Sequence, residues 1–297
     1  ASNYNVAIGH TAMDAALNGA LYNMAMGYAA LGSLTEGDGN VALGHGAGSA
    51  LTTGGNNITI GRLAGDAMTT NNGVIAIGYQ AATNLNNQNG NYSVIIGYEA
   101  GQSITSANPN HLMGYRSGYA MTTAGLNVAN GYETLRYNEK GYGNVAMGYY
   151  AAQYVTSSLN VAIGMEAGRG KSSAPYTSGE SNISIGTYAN HTVSTGKRNV
   201  SIGGNAGNAM ETGTDNTLLG NNAGYNVKHA VGATIIGGYA GRYATGSYNT
   251  FIGYNAGDGA TTSAPFSSGE NNVAIGDRAM RVFTTGHSNA VVGNQAG

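Results

Sequence analysis

The sequence predicts an all-β fold, a parallel β-solenoid of about 17 coils with a period of about 17 residues. Three observations predict it: one motif recurs along the whole chain, apolar residues alternate within that motif, and glycine returns at a fixed place. The 297 residues include 50 Gly and no Cys, and 41% are hydrophobic. Packing and backbone hydrogen bonds, and not disulfides, must therefore stabilise the fold. We expect residues 1–297 to form a single β-solenoid repeat domain within a longer fibre or filament.

The repeat has the core Asn-Val-Ala-Ile-Gly-x-x-Ala-Gly, which residues 160–168 show almost unaltered and residues 40–48, 199–207 and 249–257 show with variation. Each copy is aligned on the first glycine of this core, here called the anchor glycine, and most anchors lie 17 residues apart. The anchors are Gly9, Gly27, Gly44, Gly61, Gly78, Gly97, Gly114, Gly131, Gly148, Gly164, Gly186, Gly203, Gly220, Gly237, Gly253, Gly276 and Gly293. Because the period is fixed along the chain, successive copies are expected to stack as coils.

Each coil is predicted to contain a strand just before its anchor. Positions three and one before the anchor, as in Val161 and Ile163, are two residues apart and so lie on one strand face. We expect this face to form the interior. A second short strand is expected to carry an apolar residue seven positions after the anchor, as in Leu51, Met68, Met121, Val193 and Phe283. Stacking at about 4.8 Å would place like residues over like in a rod about 80 Å long.

Asparagine occupies the position four before the anchor in 14 of 17 copies, which gives a row of stacked amides. An amide both donates and accepts, so this row predicts a hydrogen-bonded ladder along the rod. The other interpretation is the ordinary preference of asparagine for turns and left-handed backbone. The predicted ladder residues are Asn40, Asn57, Asn144, Asn160, Asn199 and Asn249.

Tyrosine follows the anchor directly in five consecutive coils, at Tyr79, Tyr98, Tyr115, Tyr132 and Tyr149. These side chains are expected to form an outward aromatic stripe. One interpretation is a contact surface for sugars or for lateral packing, because tyrosine combines rigid area with a polar tip. The other is simple stabilisation of the rod by stacking.

Three coils are longer than the rest. An Asn-rich segment lengthens the coil after Gly78, and matching inserts follow Gly164 and Gly253. These loops are candidate contact surfaces because loops carry function more often than solenoid walls, although tolerated insertions would look the same. The candidate contact residues in the two matching inserts are Pro175, Tyr176, Pro265 and Phe266.

The motif at residues 160–168 and 249–257 resembles the repeats in the heads of bacterial trimeric autotransporter adhesins. It is also similar to repeats in phage-type tail fibre proteins, and the resemblance covers essentially the whole chain. In the adhesin heads the repeat folds as a left-handed parallel β-roll and three chains associate side by side. The resemblance therefore implies an extracellular, attachment-related role.

Catalytic chemistry is poorly represented in the repeat. Glu99, Glu133 and Glu166 share the position two after the anchor, which leaves a polysaccharide-cleaving solenoid as a rival hypothesis. Threonine pairs such as Thr52-Thr53 and Thr69-Thr70 leave an ice-binding role as another. The six His residues make no metal-binding pattern. We therefore predict no enzyme activity, no catalytic or metal site and no cofactor.

Charge and hydropathy restrict the partners. The formal net charge is -2, with no basic stripe for nucleic acid, and no apolar run approaches the length of a membrane span, about 20 residues. Neither end carries an atypical repeat, which predicts continuation in a longer polypeptide or end-to-end stacking, and side-by-side self-association is also expected. The predicted function is a structural subunit of an extracellular, cell-surface or virion-surface fibre, with a possible adhesive role. The alternative is an adhesin or receptor-binding tail fibre that recognises cell-surface glycans.

Overall fold

A computed structural model of the chain describes residues 4–173, 176–259 and 267–297. The described residues form an all-β parallel solenoid with one three-residue strand in each of seventeen coils, which confirms the predicted fold class. The chain divides into two compact units, Ala1–Asn144 and Val145–Gly297. The strands of the first unit are β1 Val6–Ile8, β2 Met24–Met26, β3 Val41–Leu43, β4 Ile58–Ile60, β5 Ile75–Ile77, β6 Val94–Ile96, β7 His111–Met113 and β8 Val128–Asn130. Those of the second are β9 Val145–Met147, β10 Val161–Ile163, β11 Ile183–Ile185, β12 Val200–Ile202, β13 Thr217–Leu219, β14 Thr234–Ile236, β15 Thr250–Ile252, β16 Val273–Ile275 and β17 Ala290–Val292.

Within each unit, neighbouring strands pair in parallel and in the register of the repeat. Val41 of β3 lies opposite Ile58 of β4, for example, and Val161 of β10 lies opposite Ile183 of β11. The register between β10 and β11 is kept although an insert lengthens the coil between these two strands. Like residues therefore stack over like, as the period predicts.

The rest of each coil consists mainly of turns, so the prediction of a second strand is wrong. Outside the named strands, the described residues contain only isolated bridges, such as Val155 with Thr177. The extended conformation is interrupted because left-handed residues recur after the anchor, as at Leu63 with φ +58°. Hydrogen bonds between coils continue nonetheless: the Thr52 amide donates to the Thr69 carbonyl at 2.8 Å. A 3₁₀ turn, Gln88–Gly90, lies in the first long loop.

The anchor glycine is required by both conformation and space. Gly44 has φ +132°, a backbone conformation that only glycine adopts readily. A Cβ added there would lie 2.7 Å from the carbonyl oxygen of Gly61, the anchor of the next coil. The stacked anchors thus allow the coils to approach one another closely.

The predicted interior face of the strand is also wrong. The middle residue of the strand, two before the anchor, is the one that is buried: Ala42 is fully buried and Ala162 nearly so. Val161 and Ile163, which flank Ala162, are half-exposed. The middle position holds a small residue in many coils and a large one in others, such as Leu112 and Phe251, and both kinds are buried there because the alternation of the strand directs this side chain inward.

The core of each coil is completed by residues after the anchor. The alanine three residues later is buried, as at Ala47 and Ala206. The apolar residue seven positions after the anchor fills the remaining volume, and Leu51 and Met121 are fully buried there. This part of the predicted core is confirmed. Among the described residues, none of the helical structure is long and apolar enough to cross a lipid bilayer.

Candidate interaction surfaces

The outward side of the strands is aliphatic. Here the term aliphatic strand face denotes the side chains three and one positions before each anchor. In the first unit Met24 and Met26 are 43% and 47% exposed, and in the second unit Met147 and Leu219 are 42% and 43% exposed. The alternation of the strand explains this, because a buried middle residue directs both neighbours outward.

The aliphatic strand face carries no Asp, Glu, Lys or Arg. The polar residues on it are His111, Asn130, Thr217, Thr234 and Thr250. Contiguous apolar surface of this kind is typical of interaction sites, because soluble monomers rarely expose large apolar patches. Each unit therefore carries such a face as a candidate interaction surface.

The asparagines four before the anchor form hydrogen-bonded ladders inside the coils. The Oδ1 atom of Asn40 accepts from both the backbone N–H and the Nδ2 of Asn57, each at 3.0 Å. The Nδ2 of Asn57 also donates to the carbonyl of Asn71 at 2.7 Å. Each amide therefore links its own coil to the coils on both sides.

The same bonds recur at the other predicted ladder residues. Asn144 donates to Asn127, and Asn160 accepts from Asn182. Asn199 donates to Asn182 and accepts from Asn216. Asn249 accepts from Asn272. The ladders are interrupted where asparagine is replaced, at Val74 and Ser93 in the first unit and at Ala233 in the second.

Four of the predicted tyrosines stack in the first unit. Ring centroids are 5.0 Å apart for Tyr79 and Tyr98, 5.4 Å for Tyr98 and Tyr115, and 4.8 Å for Tyr115 and Tyr132. The interplanar angles are 18° or less. Tyr149 belongs to the second unit, where its ring lies 4.0 Å from that of Tyr150 at a tilt of 50°.

Sequence reasoning missed the members of this column that are not tyrosines. His10 stacks on Tyr28 at 5.6 Å, and Tyr28 stacks on His45 at 4.9 Å. The guanidinium of Arg62 lies 5.8 Å from the centre of the Tyr79 ring. The signal was available in the sequence, because all of these residues directly follow an anchor glycine.

Stacking determines which parts of these rings are accessible. The faces of Tyr98 and Tyr115 are covered by neighbouring rings. A sugar could not stack on these faces without separating the rings. Desolvation within the stack and the carboxylate of Glu99 raise the pKa of Tyr98 above its ordinary value. The arrangement supports stabilisation of the stack more directly than sugar recognition.

Of the loop residues, Tyr176 stacks with Tyr154 at 5.8 Å. Pro175, Pro265 and Phe266, the remaining predicted contact residues, lie outside the described residues.

The glutamates considered for catalysis each pair with an arginine. Glu99 lies 2.6 Å from Arg116, and Glu133 lies 2.9 Å from Arg136. Glu166 lies 2.7 Å from Arg169 and is also in contact with a histidine. Each of the three carboxylates is thus held in an ion pair with a cationic side chain.

In the pairs Thr52-Thr53 and Thr122-Thr123, the hydroxyl of the first threonine bonds to the next coil. The hydroxyl of Thr52 donates to the Thr69 carbonyl at 3.1 Å, and that of Thr35 donates to the Thr52 carbonyl at 3.2 Å. These bonds fix the hydroxyls between coils. Over the described ranges no group of three or more His, Cys, Asp or Glu side chains is placed to hold a metal ion.

Comparison of the chain with models of known protein families and with curated proteins finds no match.

Proposed function

We propose that the chain is a non-enzymatic structural segment of an extracellular or virion-surface fibre, and that copies of it associate side by side through the aliphatic strand face. The observation that carries the proposal is the outward direction of the aliphatic residues. A solenoid that acted alone in water would gain nothing by exposing them.

The occupant best suited to this face is a second copy of the same chain. At a strand spacing of about 4.8 Å and a width of about 10 Å, the strand faces of the two units add up to about 800 Å² per chain. Two copies that covered this face would bury about 1,600 Å², the size of a standard stable interface. Both surfaces would repeat with the same coil spacing, so their side chains would interdigitate regularly.

The rest of the molecule supports a structural role. Some ion pairs join neighbouring coils, as Arg116 does with Glu99 of the previous coil and Arg198 does with Asp215 of the next. The resemblance to adhesin heads and tail fibres agrees with this proposal. An extracellular location is part of it.

The test is the oligomeric state of the full chain in solution. We expect analytical ultracentrifugation to show an oligomer that dissociates when Met24 and Met26 are both replaced by glutamate, because burying two unpaired carboxylates is unfavourable. The dissociation constant should rise at least about a hundredfold. Leu126→Glu is the matched control, since Leu126 is 60% exposed but lies off the strand face.

Circular dichroism would verify that each variant keeps its β structure. A monomeric wild-type chain at high concentration would overturn the proposal. Equal dissociation by Leu126→Glu would also overturn it, because the strand face would then have no special role.

A further inference from the structure

The aliphatic strand face of the first unit has a polar break that surrounds Met113. In the eight strands of this unit, the outward positions hold apolar side chains except at His111 of β7 and Asn130 of β8. Met113 is two residues after His111 and lies opposite Asn130. The register partners of His111 on both sides are valines, Val94 and Val128. Packing alone therefore does not require a histidine at this position.

The imidazole of His111 and the thioether of Met113 meet on the outer side of β7. Their Nε2 and Sδ atoms are 3.1 Å apart. Both side chains point outward because Leu112, the residue between them, is fully buried and side chains alternate along a strand. His111 is exposed and Met113 is half-exposed. A nitrogen donor and a sulfur donor are thus held side by side where an ion can reach them.

The separation of these two atoms matches that of two ligands on one metal ion. Metal–nitrogen and metal–sulfur bonds are about 2.0 and 2.3 Å long. Two such ligands at an angle of about 90 to 120° around the ion lie about 3.1 to 3.7 Å apart. The observed distance of 3.1 Å falls at the lower end of this range, so one ion can bind both atoms without a change in the backbone of β7.

Four other histidines have different neighbours. His10 and His45 each stack with a tyrosine ring. His191 contacts a glutamate, and the Nδ1 of His229 lies 2.8 Å from a threonine hydroxyl. At His111, by contrast, the ring nitrogen faces a soft sulfur atom.

The types of donor determine which ion fits. A thioether is a soft ligand that selects Cu(I), and imidazole also binds copper, whereas Mg²⁺ and Ca²⁺ prefer carboxylate and carbonyl oxygens. The aliphatic strand face offers no carboxylate, and the chain has no Cys whose thiolate would compete for a soft ion. Apolar surroundings also favour an ion of low charge, because desolvation of a charge is unfavourable.

We propose that His111 and Met113 bind a soft monovalent cation, Cu(I). Nε2 of the neutral imidazole and Sδ of the thioether are the two protein ligands, and the proton of the imidazole is on Nδ1. This inference goes beyond the structural role of the chain. Both ligands come from one chain, so it does not depend on side-by-side association.

The experiment is a calorimetric titration of the full chain with Ag⁺, a redox-stable probe for Cu(I), in chloride-free buffer, with Zn²⁺ titrated in parallel. It is carried out on the wild-type chain and on the variant with Met24→Glu and Met26→Glu, whose strand face should be open. We expect one site for which Ag⁺ binds at least about tenfold more tightly than Zn²⁺. Anaerobic competition with a chromophoric Cu(I) chelator would then measure the affinity for Cu(I) itself.

Two substitutions test the ligands. His111→Val and Met113→Leu should each weaken Ag⁺ binding at this site about tenfold or more. Valine and leucine occupy the same strand positions at Val128 and Leu43, so the fold should tolerate both changes, and circular dichroism would verify this. Met165→Leu is the matched control, because Met165 is 41% exposed but lies off the strand face, and it should leave the affinity unchanged.

Three results would overturn the proposal. Absence of Ag⁺ binding would reduce the pair to an N–H···S hydrogen bond, and equal affinity for Zn²⁺ would show that the sulfur does not select the ion. Unchanged affinity in His111→Val or Met113→Leu, or an equal loss in Met165→Leu, would place the ion elsewhere. Binding by the open variant alone would support the site and show that association covers it. A monomeric wild-type chain that binds Ag⁺ would refute side-by-side association and leave this inference intact.

Discussion

Replacing Asn199 by alanine tests whether the asparagine ladder stabilises the stacking of coils. Asn199 is fully buried and donates from Nδ2 to Asn182 at 3.0 Å and to the Gly213 carbonyl at 2.7 Å. Its Oδ1 accepts from the backbone N–H of Asn216 at 3.1 Å and from the Asn216 side chain at 2.9 Å. Alanine would remove all four hydrogen bonds.

The magnitude follows from which partners are left unsatisfied. Asn182 would still accept from the backbone of residue 199, and the Asn216 side chain would still donate to Ala230. The Asn216 backbone N–H and the Gly213 carbonyl would lose the bonds that Asn199 provides. Two buried orphaned groups at about 2 kcal/mol each predict a loss of about 4 kcal/mol in the free energy of unfolding.

Chemical denaturation would measure this loss, and amide hydrogen exchange would locate it. The Asn216 amide should exchange about a thousandfold faster than in the wild-type chain. The matched control is Asn208→Ala, because the Asn208 side chain donates only at 3.3 Å. The control variant Asn208→Ala should lose less than about 1 kcal/mol of the free energy of unfolding. A similarly small loss for Asn199→Ala, with the Asn216 amide still protected, would refute the reasoning.

Three further predictions concern the anchors, the strand faces and a surface ion pair. Gly203→Ala should lower stability by at least about 3 kcal/mol in thermal unfolding, because the added Cβ would lie 2.5 Å from the carbonyl oxygen of Gly220. Gly19 offers the comparison, because a Cβ added there would have no heavy atom within 4 Å. Ala42→Asp should unfold its coil, because it would bury an unpaired carboxylate. Leu43→Asp should keep the β signal in circular dichroism, because this side chain points outward. An equal loss of the β signal in both variants would contradict the assigned strand faces. Pairing with Arg198 lowers the pKa of Asp215. The contribution of this ion pair to stability is therefore present above pH 3.8 and is lost as the pH falls through the lowered pKa. Asp215→Asn should remove this contribution from unfolding curves measured across acidic pH, and high salt should weaken it.

The fold could be predicted because the period itself specifies stacking. Once like residues recur every 17 positions, parallel pairing in register satisfies the backbone of every coil at once. The anchor glycines were recognised for the same reason, because a Cβ has no room at a crowded corner. None of this depended on knowing which strand face was buried.

The orientation of the strand was predicted incorrectly because hydrophobicity alone was used to identify the interior. Val161 and Ile163 are more apolar than Ala162, but the middle position points inward whether it holds an alanine or a large residue such as Phe251. The hydrophobicity of the side chains therefore did not identify the buried face. The histidines and Arg62 in the tyrosine column were missed because they were considered one at a time for metal chemistry and charge.

The interruptions at Val74, Ser93 and Ala233 have a mechanical consequence. A pulling force along the stacking direction acts equally on every junction between coils, and the bonds of a continuous amide ladder strengthen one another by polarisation. Where the ladder stops, the neighbouring coils are joined by one fewer cross-link. Under tension these junctions are expected to separate first within their respective units, so stretching would release the chain in blocks of several coils and dissipate the load in steps.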